Sequence, residues 1–167
     1  MILKKVFLCF LLLTASCGFT PLYSDSDHQF VLNETASIQI EPIPEYRGYI
    51  VMQNLENKLN PTKKRGIPVY SLTVHLSDPV YTDQIIQENN FSDRKKITLK
   101  ASYKLIRIKD STTLIHSSTS ASGAYNIISN PYATVTDQEK NQEDLLNIIS
   151  ENISLHILTY LKSENSK

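Results

Sequence analysis

The chain lacks tryptophan and has only 4 glycines among its 167 residues. So few glycines leave little material for the glycine-rich loops that cradle phosphates in nucleotide-binding enzymes, and no such loop occurs. An excess of charge of either sign is also absent, since 17 basic residues balance 17 acidic ones. The sequence therefore shows no electrostatic preference for nucleic acid, and we expect no nucleic-acid partner.

Catalytic and metal-binding motifs are missing too. There is neither a Gly-x-Ser-x-Gly elbow nor a His-Glu-x-x-His pair. The four histidines stand apart from one another, at His28, His75, His116 and His156. Because metal sites need clustered donors, these side chains are expected to be solvent-facing or core-edge imidazoles. The sequence predicts a protein that is not an enzyme and holds no metal or dissociable cofactor.

What is present fits one small folded domain behind a targeting segment. The mass is 19.0 kDa, with 41% hydrophobic and 20% charged residues. Lys4 and Lys5 precede an apolar run over residues 6–13, which has the length of a secretory signal core and is too short to span a bilayer. Residues 14–16 are small and lead directly to Cys17. Residues 1–16 are therefore predicted to be a cleaved signal peptide.

The segment around Cys17 resembles a bacterial lipoprotein signal, in which the first mature residue is a cysteine. The resemblance implies a diacylglycerol on the thiol and an acyl chain such as palmitate on the amine. Burial of such chains at about 0.8 kcal/mol per methylene holds a domain on a membrane. Gly18 in place of an aspartate implies the outer membrane. The alternative is an ordinary signal peptide in which Cys17 is incidental.

The mature chain alternates between strand and helix patterns. Residues 17–35 are predicted to be the lipidated N-terminus and a polar tether, residues 36–161 one domain, and residues 162–167 a polar tail. Within the domain, residues 37–41, 70–76, 97–105 and 112–126 alternate apolar and polar side chains as strands do. The second strand is interrupted at Asp78-Pro79 and can resume beyond it through Tyr81 and Ile85, and a slip in parity after Leu105 predicts a bulge.

Two segments have helical periodicity. Apolar residues recur every three or four positions in residues 46–60 and again in a long final segment that ends near residue 161. A capping-box pattern over residues 136–139 predicts the start of the final helix. The order β-α-β-β-β-α predicts an α+β two-layer sandwich, with both helices on one face of a four-stranded, mostly antiparallel sheet. The other sheet face is left for solvent or a partner.

Two basic clusters are candidate ligand sites. One follows the first helix, and the other adjoins a hairpin tip predicted at residues 89–93. Either can hold an anionic head group through charge-assisted hydrogen bonds, or both can be solvated loops. The clusters consist of Lys63, Lys64 and Arg65, and of Arg94, Lys95 and Lys96.

Several stretches together resemble LptE, the lipopolysaccharide-assembly lipoprotein family, in its alphaproteobacterial form. They are Cys17-Gly18-Phe19-Thr20-Pro21-Leu22-Tyr23, the first helix, Lys100-Ala101-Ser102-Tyr103-Lys104-Leu105, and Asn130-Pro131-Tyr132-Ala133. The resemblance covers essentially the whole mature chain. It rests on these stretches and the order of the elements occurring together, since no single motif is diagnostic.

The resemblance implies a plug that sits inside the lumen of the outer-membrane β-barrel LptD and helps it assemble and deliver lipopolysaccharide to the cell surface. It also implies lipopolysaccharide contact at Arg94, with Lys95 and Lys96 as helpers. A second basic position of the family falls on Asp137 here. The weaker candidates are Lys63, Lys64 and Arg65.

Two other functions stay open. One is a generic periplasmic ligand-binding lipoprotein, which predicts an apolar pocket and a stable monomer. The other is a lipid-anchored hydrolase, which predicts a nucleophile hydrogen-bonded to a base, and no spacing in the sequence provides that pair. The plug predicts co-purification with a large barrel.

Overall fold

A computed structural model describes residues 34–63, 66–84, 93–127 and 130–165. The elements in chain order are β1 (Ile38–Ile40), α1 (Glu45–Leu59), β2 (Tyr70–Leu76), β3 (Val80–Gln84), β4 (Asp93–Arg107), β5 (Thr112–Ile127) and α2 (Pro131–Asn165). One helical turn at residues 34–36 precedes β1. The two long helices pack on one face of the sheet, which confirms the predicted α+β two-layer sandwich.

The sheet is antiparallel except at one margin. Its order is β1-β2-β4-β3, and β5 pairs with the other edge of β4. β1 runs parallel to β2, since α1 carries the chain back between them. β2 and β3 pair with successive stretches of the same edge of β4. Five strands are therefore seen where four were expected, because the second predicted strand resumes after Pro79 as β3. Ile85 lies outside the described residues.

β4 and β5 form a long hairpin, and its first strand, β4, is the centre of the sheet. β4 begins at Asp93, four residues before the expected start, so Asp93 belongs to the strand and not to a hairpin tip. Residues 89–92 of that tip lie outside the described part. A register shift between β4 and β5 occurs at Leu105/Ile106, where the bulge was predicted, but β4 itself pairs with β2 without a shift, so the predicted slip of parity within β4 is wrong. Leu105 pairs with Ile115 and Ile106 with Thr113, so the extra residue is Leu114 of β5.

α1 forms where the sequence repeats apolar residues at helical spacing, and it begins one residue earlier than predicted. Its buried positions are Gly48, Val51, Leu55 and Leu59, which form one stripe. Gly48 allows a close approach to the preceding loop, because a Cβ atom there would lie 2.6 Å from the carbonyl oxygen of Ile43. The Pro61 expected to end the helix lies just beyond it.

α2 begins at Pro131, so the capping box predicted at residues 136–139 is wrong. Asn130 caps the helix instead, since its Oδ1 accepts a hydrogen bond of 3.1 Å from the backbone N–H of Tyr132. Pro131 suits the first helical position because it needs no partner for an N–H group. Thr136 donates its hydroxyl to the Tyr132 carbonyl inside the helix. α2 also extends to Asn165, into the predicted polar tail.

The core lies between the helices and the sheet. Its largest fully buried side chains come from both helices and from β2 and β4. They include Leu55, Leu59, Leu72, Ile97, Leu99, Leu105, Leu146, Ile149, Ile153 and Ile157. The described part begins at Glu34, and Thr35 is already only 1% exposed. The predicted boundary between tether and domain stays a prediction.

Candidate binding surfaces

The sheet face opposite the helices is polar and exposed, and we call it the open face. Successive side chains of a strand point to opposite sides, so the residues that alternate with the buried ones form this face. On β2 and β4 they are Ser71, Thr73, His75, Arg94, Lys96, Thr98, Lys100, Ser102 and Lys104. On β5 they are His116, Ser118, Ser120, Ser122, Ala124 and Asn126.

Cations follow the central strand of the open face. Lys100 and Lys104 are exposed, and the register places Lys100 beside Ser120 and Lys104 between Thr73 and His116. Arg94 and Lys96 occupy the far end of the same strand. Hydroxyl groups fill the intervals, as where Thr98 and Ser122 share a hydrogen bond of 2.9 Å.

The basic cluster predicted at residues 94–96 is divided by the pleat of β4. Arg94 and Lys96 point to the open face, whereas Lys95 points to the helix side of the sheet together with Ile97. There the Lys95 ammonium lies 3.5 Å from a carboxylate oxygen of Asp83. Lys95 is also paired across the strands with Tyr125. Burial raises the pKa of Tyr125, and the nearby Lys95 charge opposes that shift.

The other predicted cluster is described only at Lys63. Its side chain is exposed and it helps to line a cleft of about 550 Å³ between β1 and α1. Ile38, Gln39 and Asn57 line other parts of this cleft. Lys64, Arg65 and the predicted lipidation site Cys17 lie outside the described residues.

A smaller cavity of about 220 Å³ lies between the start of β2 and the end of α2. Tyr70 lines it and donates its hydroxyl proton to Glu34 Oε2 at 2.8 Å. Burial first, and then the hydrogen bond to the Glu34 carboxylate, raises the pKa of Tyr70 to about 12. Arg107 lines the same cavity and lies 3.5 Å from Asp110. The contacts tie the N-terminal turn to the sheet.

The histidines that the structure describes are not gathered into a metal site. His75 and His116 lie on the open face, and His156 Nδ1 is 2.6 Å from the hydroxyl oxygen of Tyr103. In the described ranges, no group of three or more histidine, cysteine, aspartate or glutamate side chains is placed to hold a metal. Nor does any helix in those ranges combine the length and the apolar character that crossing a membrane requires.

Sequence reasoning missed Lys100 and Lys104 as candidate site residues. Both lie at positions predicted to be on the polar side of a strand, but neither belongs to a run of adjacent basic residues. In a strand, adjacent residues diverge and residues at even spacing converge on one face. The signal that would have found the two lysines is therefore the even spacing of Arg94, Lys96, Lys100 and Lys104.

Comparisons with known proteins identify relatives only at the level of fold. No family model matches the chain, and no curated protein matches it. A crystal structure of a candidate lipoprotein from Caulobacter crescentus CB15 is similar, with 19% identity, a TM-score of 0.62, and coverage of 78% of this chain and 95% of that one.

Two further solved structures share the architecture at lower identity. The rare lipoprotein B of Shewanella oneidensis is 7% identical, with a TM-score of 0.52 over 78% of this chain and 98% of that one. A minor lipoprotein of Acinetobacter baumannii is 9% identical, with a TM-score of 0.50 over 73% and 91% of the two chains. The chain thus has a fold that occurs in bacterial lipoproteins.

Proposed function

We propose that this protein is an outer-membrane lipoprotein that acts as the plug and assembly partner of an LptD-like β-barrel in lipopolysaccharide transport to the cell surface. The observation that carries the proposal is the open face, which is mainly polar and rich in hydroxyl groups along the length of two long strands. The lumen of a large barrel is polar, so a plug needs a rigid body with such a surface. The role requires no bond-making step, and we assign none.

The fold and the N-terminal sequence support the same proposal. The three similar structures are lipoproteins, or a candidate one, by name, and the segment ending at Cys17 has the pattern of a lipoprotein signal. An acylated Cys17 would hold the domain at the periplasmic face of the outer membrane. Delivery to that membrane is what a barrel partner needs.

Lipopolysaccharide contact is assigned to Arg94 and Lys96. Arg94 and Lys96 are two residues apart on one face of the strand, so their Cα atoms are separated by about 6.6 Å. At that separation a guanidinium and an ammonium can reach one phosphate group together. Lys95, expected as a helper, points to the opposite side of the sheet and faces Asp83. We therefore retain Arg94 and Lys96 as the anionic-ligand pair.

Capture from outer membranes tests the plug. The tagged full chain is purified in mild detergent, and the associated proteins are identified by mass spectrometry, with an unrelated tagged outer-membrane lipoprotein as control. The expected result is a large β-barrel recovered in near-equal amount with this protein and not with the control. Recovery of the protein alone would contradict the plug function.

Binding to vesicles containing lipid A tests the glycolipid contact. The double variant Arg94→Ala/Lys96→Ala is expected to bind at least about tenfold more weakly than Lys95→Ala/Lys109→Ala, because both lose the same charge but only the first loses adjacent cations on the open face. Equal binding by the two variants would contradict the assignment.

A second candidate function has one observation in its favour. The cleft between β1 and α1 has the volume of a small-molecule site, at about 550 Å³, and a lining that mixes apolar and polar residues. A generic periplasmic ligand-binding lipoprotein would use it. That function predicts a monomer in the capture experiment and a bound small molecule in native mass spectra.

A further inference from the structure

We infer that the middle of the open face, around Lys100 and Lys104, is the surface that docks onto a protein wall carrying spaced carboxylates. The inference rests on the proposed function, because the wall is the inner surface of the barrel, and it adds which face of the plug meets that wall and by what chemistry. It concerns a part of the open face that does not include Arg94 and Lys96.

The spacing of the two lysines favours a protein partner. Four residues along a strand separate Lys100 from Lys104 by about 13 Å. At that Cα separation two lysines are poorly placed to share one phosphate, whereas Arg94 and Lys96, two residues apart at the end of the strand, can share one. A strand of a barrel wall presents every second side chain to the lumen, so carboxylates four residues apart repeat at the same interval.

The charges of the open face are uncompensated among the described residues. Several cations elsewhere in the fold have carboxylate partners, as Arg47 has in Glu45 and Lys58 in Glu151. No ion pair is found within the described ranges for Lys100 or Lys104. The strand positions of the open face include no aspartate or glutamate.

Glu41 is the carboxylate that reaches the margin of the open face. It follows β1 and accepts a hydrogen bond of 2.8 Å from the Ser71 hydroxyl. The β1–β2 register, continued by one residue, sets Glu41 beside Thr73, which is opposite Lys104. The hydrogen bond to Ser71 turns the Glu41 carboxylate toward the Ile106 end of β4. Within the described ranges no carboxylate forms an ion pair with the lysines in the middle of the face, so their charges are available to a carboxylate-bearing partner.

The side chains around the lysines complete a surface suited to a polar wall. Ser102 separates the two lysines, and His75 and Ser118 flank it on the neighbouring strands. These groups are exposed and can donate or accept hydrogen bonds. Short hydroxyl side chains also permit a close approach, so a partner strand can lie along β4 with its carboxylates over the lysines.

Charge reversal combined with barrel capture tests the docking surface. The full-length variant Lys100→Glu/Lys104→Glu is compared with Lys109→Glu/Lys140→Glu, which changes the net charge equally at exposed positions in a turn and on α2. We expect the first variant to retain less barrel than the control by about tenfold or more, because like charges then face each other across the interface. A neutral variant, Lys100→Gln/Lys104→Gln, is expected to show a smaller loss relative to the wild type, and this loss should shrink as added salt screens the ion pairs of the wild type.

Each outcome separates this inference from the proposed function. Equal capture by the reversed and control variants overturns the docking surface and leaves the plug intact. Absence of any barrel with the wild-type chain overturns both. Loss of binding to lipid A vesicles with normal barrel capture assigns the lysines to glycolipid and overturns the inference. If thermal unfolding shows that the reversed variant does not fold, the glutamine variant is used instead. Barrel capture equal to that of the wild type would then overturn the docking surface.

Discussion

Replacing Gly48 by alanine has two opposing effects on the free energy of unfolding, a gain in helix propensity and a steric contact with Ile43. In the interior of α1, alanine is better than glycine by about 1 kcal/mol of helix propensity. The new Cβ atom, however, would lie 2.6 Å from the carbonyl oxygen and 2.7 Å from Cγ2 of Ile43. Real Cβ atoms do not approach other atoms so closely, so the loop or the helix has to move.

The loop opposite Gly48 has little freedom to yield. Pro42 and Pro44 flank Ile43 and restrict the backbone on both sides, and the Ile43 side chain is itself buried at 7% exposure. Overpacking costs about 1–3 kcal/mol, and the restricted loop at Ile43 favours the upper part of that range, about 2–3 kcal/mol. Subtracting the propensity gain predicts that Gly48→Ala lowers the free energy of unfolding by about 1–2 kcal/mol.

Urea denaturation followed by circular dichroism measures the change. With a slope of about 2 kcal/mol per molar urea, the midpoint is expected to fall by about 0.5–1 M. Gly66→Ala is the matched control, because a Cβ atom there would meet its nearest neighbour, the Ala36 carbonyl oxygen, at 3.6 Å and the backbone φ is not positive. This control should be neutral or stabilising by about 0.4–1 kcal/mol. A Gly48→Ala midpoint equal to or above that of the wild type would refute the close-contact argument.

Three further changes test the helix cap, the buried tyrosine and the anchor. Asn130→Ala should cost about 1 kcal/mol by removing the cap on Tyr132, while Asn130→Asp should retain it, and an unchanged urea midpoint for the alanine variant would contradict the cap. Because the fold raises the pKa of Tyr70 from 10.0 to about 12, the neutral phenol stabilises the folded state. This contribution to the free energy of unfolding is fully present below pH 10.0 and is lost as the pH rises through about 12. The difference between wild type and Tyr70→Phe in phenolate absorbance should therefore titrate near 12, and a difference centred at 10 would disprove the shift. Cys17→Ala should release the protein from membranes with its thermal unfolding unchanged, and full retention at the membrane would disprove lipidation.

Much of the fold could be predicted because periodicity is a local property. β2 matches its predicted bounds, and the β4–β5 register shifts at Leu105/Ile106, where a bulge was predicted, although the extra residue is on β5. The start of α2 was misplaced because two capping signals compete within six residues. Asn130-Pro131 starts the helix, since extending it by one and a half turns adds backbone hydrogen bonds that a start at Thr136 would forgo.

The candidate site was predicted less well than the fold. Adjacent basic residues in the sequence suggested one cluster at residues 94–96, and the pleat of β4 sends Lys95 to the helix side. The sequence does contain the alternation, but whether a polar strand face is covered depends on which side the helices occupy. For the central strand β4, the periodicity of the sequence does not by itself show which face of the sheet the helices cover.

The sequence by itself determined the order of the main strands and helices, the neighbourhood in which the β4–β5 register shifts, and which side chains of each strand share a face. These properties follow from side-chain spacing and from proline and asparagine at element ends. Only the tertiary structure decided that β2 and β3 share one edge of β4, that Lys95 meets Asp83, and that Lys100 and Lys104 are without ion-pair partners in the described ranges. Such contacts depend on strand order and on the face that the helices cover, and both are settled by long-range packing of the apolar core.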